Sequence, residues 1–102
     1  FSMDMNYTVQ EINDMVCEGT IKIVKAHFYK SWIDWGNASE DDRKAAVELA
    51  FEQCPTPKEM TVTFEQVFDA VQDYFVSDAV MFSARQNMPL PVWAMSTQRD
   101  VA

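Results

Sequence analysis

The segment MTVTFEQVFDAVQDYF, residues 60–75, restricts the fold of this chain more than any other part of the sequence. Thr63 is followed three residues later by Gln66, a capping-box pattern that predicts a helix beginning at Phe64. At helical spacing the apolar residues share one side, and three carboxylates share the other: Glu65, Asp69 and Asp73. No Lys, Arg or His occurs from Glu59 to Ala84. The segment therefore predicts an amphipathic helix with a core face and an acidic face that its own residues do not neutralise.

The composition indicates a single folded domain that is mostly helical. A chain of 102 residues typically buries roughly two-thirds of its unfolded surface, enough for a core without metal or disulfide support. The hydrophobic fraction of 48% excludes a disordered chain. Two Gly and four Pro are too few for a turn-rich all-β fold.

The first helix is marked at both ends. Thr8 and Glu11 form a second capping box, which predicts that this helix begins near Val9. The sequence Trp35-Gly36-Asn37 predicts its end, since Gly is favoured just after a helix C-terminus. Gly19 lies inside the run and lowers helix stability, so it marks either a close helix crossing or a break.

The far end of the helix that begins at Phe64 contains a conflict. Continued in one register, it turns Asp78 toward the apolar side and Val76 toward the acidic side. We expect a break at Ser77, after which Asp78 caps a short fourth helix. The apolar residues of that helix are Met81, Phe82 and Ala84. The alternative is a continuous helix in which Asp78 is a buried and partnered carboxylate.

We therefore expect an all-α domain, a small bundle spanning residues 1–102. Its three main helices lie near residues 9–35, 40–53 and 64–76, followed by the short fourth helix and an extended apolar tail over residues 87–102. Residues 1–7 are expected to be flexible or to remain from processing or recombinant expression. The predicted core comprises Ile12, Val16, Ile23, Val47, Ala50, Phe64, Phe68, Val71 and Phe75.

The charge balance limits the kinds of partner that the chain can bind. Sixteen Asp and Glu against eight Lys and Arg give a net charge of −8. Such a surface repels phosphate backbones and anionic lipids and attracts basic proteins. We expect no direct binding to nucleic acid or membrane, and no apolar run approaches the roughly 18 to 20 residues of a membrane span. A cytoplasmic location is expected, with the periplasm or secretion as alternatives.

No known catalytic or cofactor-binding motif occurs in the sequence. His27 is the single histidine and has no partner nucleophile or acid that spacing identifies, so we expect no catalytic role and no enzyme. Cys17 and Cys54 do not form a metal-binding set with it. They are expected to be free thiols, with one disulfide between helices as the alternative.

Metal binding is not expected either. Glu48 and Glu52 are spaced so that carboxylates can bind a cation between helices, but the His that accompanies such glutamates in di-metal bundles is missing. We therefore predict neither a metal nor another cofactor.

Two surfaces remain as candidates for partner binding. The first is acidic and comprises Glu40, Asp41, Asp42, Glu48, Glu52, Glu65, Asp69 and Asp73. The second is an apolar interface rich in residue types found in binding hot spots. It comprises Trp32, Trp35, Leu90, Val92 and Trp93.

One segment carries a resemblance to a known family. The stretch CPTPKEMTVTFEQVFDAVQDYF places a Cys and a Pro before a capped helix that ends in Tyr and Phe. It resembles one segment of the small helical immunity proteins of bacterial toxin systems, over about a fifth of the chain. The resemblance implies a protein that neutralises a toxin by binding it.

Taken together, these observations predict a non-enzymatic acidic protein that inhibits or neutralises a partner. The expected partner is a nucleic-acid-handling protein with a basic surface, as for a phage anti-defence or toxin-neutralising protein. Carboxylates on successive helical turns lie about 5 to 6 Å apart, close to the phosphate spacing along one strand, so the acidic face could partly mimic nucleic acid. The alternative is a structural or assembly subunit that self-associates through its apolar tail, for example as a homodimer.

Overall fold

The computed structural model describes residues 7–99, with side chains through Met95. It contains five helices: α1 Val9–His27, α2 Trp32–Asn37, α3 Glu40–Gln53, α4 Phe64–Gln86 and α5 Val92–Arg99. The three long ones, α1, α3 and α4, pack on one another, and residues 7–99 contain no strand. The predicted all-α fold with three main helices is confirmed. The expectation for the first residues lies, except at Tyr7, outside the described chain, as does the end of the predicted tail beyond residue 99.

The three predicted N-termini are confirmed by their hydrogen bonds. The Thr8 hydroxyl accepts from the backbone N–H of Glu11 at 3.1 Å, and the Glu11 carboxylate accepts from the backbone N–H of Thr8 at 2.8 Å. Thr63 and Gln66 form the same reciprocal pair at the start of α4. Ser39 caps α3. Each cap uses backbone N–H groups that the first helical turn leaves without a partner.

The predicted helix over residues 9–35 divides into two. α1 ends at His27, and Ser31 in extended conformation leads into the six-residue α2. The turn between them brings Trp35 into the core, where it is 0% exposed. Gly36 does not end the first helix as predicted. It lies inside α2, where an added Cβ would overlap the indole of Trp93.

The predicted break at Ser77 is wrong, because α4 continues to Gln86. The buried side of α4 rotates along its length. Residues at its N-terminal half belong to the main core, whereas Val76 and Ala79 belong to a second cluster with Ala94 of α5. Val76 is therefore buried and Asp78 only half-buried, so neither the break nor a cap at Asp78 is required.

The apolar tail is helical over Val92–Arg99, where an extended segment was predicted, and residues 88–91 lead into this helix without helical structure. α5 packs on α4 through Ala94, which is fully buried. Leu90 and Trp93 are half-buried against the same cluster. No described helix has the length and apolarity needed to cross a membrane.

The core partly follows the prediction. Five predicted residues are buried and four are half-buried. The buried ones are Val16, Val47, Ala50, Val71 and Phe75, and the half-buried ones are Ile12, Ile23, Phe64 and Phe68. Trp35, which was assigned to an interface, lies at the centre. Its ring stacks on Phe75 with 4.8 Å between centroids and lies perpendicular to the Tyr29 ring with 5.6 Å between centroids.

Gly19 marks a close approach of α1 to the end of α3, and α1 does not break there. A Cβ at position 19 would lie 2.8 Å from the Sγ of Cys54, which caps α3. The Cys54 thiol is buried and donates to the carbonyl of Val16 at 3.7 Å. Cys17 is half-buried. Both cysteines are free thiols, as expected, and the alternative of a disulfide between helices is not formed.

Phe75→Ala should lower the free energy of unfolding by about 3 to 5 kcal/mol, because it removes the ring that stacks on Trp35 and leaves a cavity. Phe68→Ala, at a half-buried ring, should cost clearly less. Urea unfolding followed by circular dichroism measures both. The reverse order of the two losses would contradict the assignment of Phe75 to the centre of the core.

Gly19→Ala should destabilise the chain, although Ala favours a helix by about 1 kcal/mol, because the new methyl meets Cys54 Sγ. In a Cys54→Ala background the same change should be stabilising, since the obstructing sulfur is gone. A double-mutant cycle by urea unfolding measures this coupling. Equal effects of Gly19→Ala in the two backgrounds would show that the close approach does not matter.

Candidate acidic binding site

Helices α3 and α4 form a shallow groove of about 300 Å³, which we call the acidic groove. Its carboxylates come from both helices: Glu40 from α3, and Glu65 and Asp69 from α4. The rings of Phe64 and Phe68 are half-buried between them. The packing of two helices thus brings predicted site residues that are distant in sequence around one apolar surface.

Lys44 also lines the acidic groove and was not among the predicted site residues. Its ammonium lies 3.4 Å from the carboxylate of Glu40, one helical turn away, and both side chains are largely exposed. An exposed pair of this kind typically contributes about 0 to 1 kcal/mol. The spacing of four residues between Glu40 and Lys44 was the signal that could have predicted this ion pair within α3. The acidic face of α4 therefore has a cation nearby, supplied by α3.

Asp73 extends the line of α4 carboxylates by one turn beyond Asp69. Burial raises the pKa of the Asp73 carboxyl above its ordinary value of 3.8, and the negative charge of Asp69 raises that pKa further. Burial, and then the like charge of Asp69, thus make the Asp73 carboxyl easier to protonate. A basic group that approached these carboxylates would relieve the repulsion.

The other predicted acidic residues are exposed but lie outside the lining of the groove. Asp41 and Asp42 share the first turn of α3 with Glu40, where negative charge suits the helix dipole. Glu48 and Glu52 lie further along α3. A structural role in helix stability therefore accounts for Asp41 and Asp42 without a partner.

The predicted apolar interface is divided by the fold. Trp35 is buried, so the assignment of this residue to a surface is corrected: it is the centre of the core. Leu90 and Trp93 pack partly on their own chain. Val92 is 79% exposed, and Trp32 is half-buried beside Phe82, with 5.4 Å between ring centroids.

The groups considered for chemistry are dispersed. His27 is exposed in the last turn of α1. Within residues 7–95, no three His, Cys, Asp or Glu side chains are arranged to hold a metal ion. Burial, and then the charge of Asp14, raise the pKa of the Cys17 thiol, which makes that thiol less reactive as a nucleophile.

Asp73→Asn should raise the melting temperature at pH 7. The folded state binds the Asp73 proton more tightly than the unfolded chain does, so the ionised carboxylate lowers stability once the pH exceeds its folded pKa. The advantage of the variant should shrink as the pH falls through that pKa and disappear below about 3.8. Thermal melts across this pH range measure it.

A background variant tests the cause. In Asp69→Asn chains, the gain from Asp73→Asn should be smaller, because one source of the raised pKa is absent. A destabilising Asp73→Asn at neutral pH, or a gain that does not depend on pH, would contradict the assignment.

Comparison with known proteins does not identify a family for this chain. No protein-family model matches the chain, and neither curated protein sequences nor solved structures give a significant match. The resemblance of the segment from Cys54 to Phe75 to immunity proteins therefore stays a prediction.

Proposed function

We propose that this chain is a non-enzymatic binding protein that inhibits or neutralises a basic protein through the acidic groove. The observation that carries the proposal is the convergence of Glu40, Glu65 and Asp69 around two half-buried phenyl rings. Carboxylates together with aromatic faces suit arginine, whose guanidinium pairs with carboxylates and stacks on rings. The partner is accordingly a protein whose basic surface presents arginine.

The geometry of α4 supports a nucleic-acid-handling protein as that partner. Glu65, Asp69 and Asp73 follow one another at four-residue intervals, which places them about 6 Å apart along the helix axis. A surface that binds a line of phosphates meets a similar line of negative charge here. The chain would then compete with nucleic acid for the same groove, in the manner of an anti-defence or toxin-neutralising protein.

Lys44 does not oppose this function strongly. Its ion pair with Glu40 is exposed and weak, so a partner guanidinium can replace it at small cost. The net charge of −8 attracts a basic partner at long range and speeds encounter, whereas the groove determines the orientation of the complex. Self-association through the tail has less support, since Leu90 and Trp93 pack partly on their own chain.

The test is a triple variant, called the groove variant, in which Glu65→Gln and Asp69→Asn in the groove are combined with Asp73→Asn one turn beyond it. Its matched control combines Asp14→Asn, Glu18→Gln and Asp34→Asn, three exposed carboxylates on other helices. Each variant changes the net charge from −8 to −5, because three negative charges are lost. Any difference between them therefore reports position and not total charge.

We expect wild type and control to retain the same protein from a lysate of the source cells at low salt. The association rate constant of the groove variant with that purified partner should be at least about tenfold lower, and it should depend little on salt. Nucleic acid bound by the partner should compete with the wild-type chain. Equal binding by both triple variants, at rates that do not differ across salt, would reject the groove as the site.

A further inference from the structure

A second surface of α4 lies at the opposite end of the helix from the acidic groove. It is a groove of about 290 Å³ lined by Trp32 of α2 and by residues of one α4 face. We call that face, made up of Asp78, Met81, Phe82 and Arg85, the α4 end face. These residues follow helical spacing at i, i+3, i+4 and i+7, so they form one continuous stripe.

The fold leaves this face uncovered. α1 ends at His27, just after Lys25 donates a hydrogen bond to the hydroxyl of Tyr74 at 2.7 Å. α4 continues about three turns beyond Tyr74, and α2 and α5 pack on the side that carries Val76 and Ala79, from which only Trp32 reaches the edge of the stripe at Phe82 among the contacts of the described residues. Met81 is 52% exposed and Phe82 is 39% exposed, so the apolar centre of the stripe is open to solvent.

The charges at the two ends of the stripe have no ion-pair partner in the described chain. Among residues 7–95, the only ion pair is the one between Lys44 and Glu40. Lys25 is near enough to interact electrostatically with Asp78, but its ammonium is held by Tyr74. Asp78 is half-buried and Arg85 is exposed. The stripe therefore has an acid at one end, two apolar residues in the middle and a base at the other end.

This pattern is complementary to itself when it is turned end to end. If two copies of α4 pack antiparallel about a two-fold axis between positions 81 and 82, Asp78 of each copy faces Arg85 of the other. Met81 then faces Phe82, a favourable contact between a thioether and an aromatic ring, beside the ring of Trp32. A parallel arrangement would instead place Asp78 against Asp78 and Arg85 against Arg85, which is unfavourable.

We propose that the α4 end face is the interface of an antiparallel, two-fold symmetric homodimer. The proposal does not rest on the acidic groove, whose carboxylates lie on the other half of α4 and on α3. It also differs from self-association through the tail, because the residues that meet are on α4 and α2.

Charge reversal at single positions tests the proposal. Asp78→Arg places two guanidinium groups opposite each other at both ends of the dimer interface, and Arg85→Asp places two carboxylates opposite each other there. We expect each single variant to raise the dimer dissociation constant about tenfold or more, because two ion pairs become two repulsive contacts. Analytical ultracentrifugation of wild type and variants measures it, with circular dichroism melts to show that each variant is folded.

Mixing the variants provides the decisive measurement. When Asp78→Arg chains and Arg85→Asp chains are combined, a heterodimer has two different charge contacts, one at each end of the interface. At one end the introduced arginine faces the introduced aspartate, and at the other the native Arg85 faces the native Asp78, so both ends pair opposite charges and dimers should return.

The double variant Asp78→Arg/Arg85→Asp should also dimerise by itself, because the exchanged charges again face each other. A monomeric wild type at the highest soluble concentration would overturn the proposal. So would a wild-type dimer that the single reversals leave unchanged, or folded single variants that stay monomeric when mixed.

Discussion

The burial of Trp35 is the interaction on which the rest of the structure depends. α2 has six residues and could not be stable alone, so tertiary contacts must hold it. The Trp35 indole N–H donates to the side chain of Gln72 at 2.7 Å, and the ring stacks on Phe75 of α4. Its carbonyl accepts from the guanidinium of Arg43 at 2.8 Å, which ties α3 to the same point. One residue thus connects three helices.

Arg43 extends this connection to the C-terminal helix. Its guanidinium lies 5.4 Å from the ring centre of Trp35 and also 5.4 Å from that of Trp93. Burial lowers the pKa of Arg43, but two backbone carbonyls and two aromatic faces compensate for the lost water. Gly36 permits the arrangement, because a Cβ there would overlap the indole of Trp93. The position of α5, and hence the covered side of α4, follows from Trp35.

The structural features that could be predicted correctly from the sequence are those that depend only on residues close together in the chain. The caps at Thr8 and Thr63 need only residues three positions apart, and both were predicted correctly. The continuation of α4 past Ser77 was missed because its buried side changes when its packing partners change from α1 and α3 to α2 and α5, which no local pattern reveals. Likewise, the acidic face of α4 was predicted, but the approach of Lys44 requires knowledge of how α3 packs.

The two interactions proposed for α4 should respond to salt in opposite directions. A complex between the acidic groove and a basic partner is weakened by salt, because opposite charges attract it. Two copies of a chain with net charge −8 repel each other, and salt screens that repulsion, so the proposed dimerisation through the α4 end face should gain from salt even though its two ion pairs weaken. In such a dimer the two Asp69 residues, each at the middle of its line of α4 carboxylates, lie roughly 35 to 40 Å apart along the helix axes, since each is about 12 residues from the two-fold axis. A basic surface long enough to span that distance would engage both grooves at once, and the second contact would then form at high effective concentration.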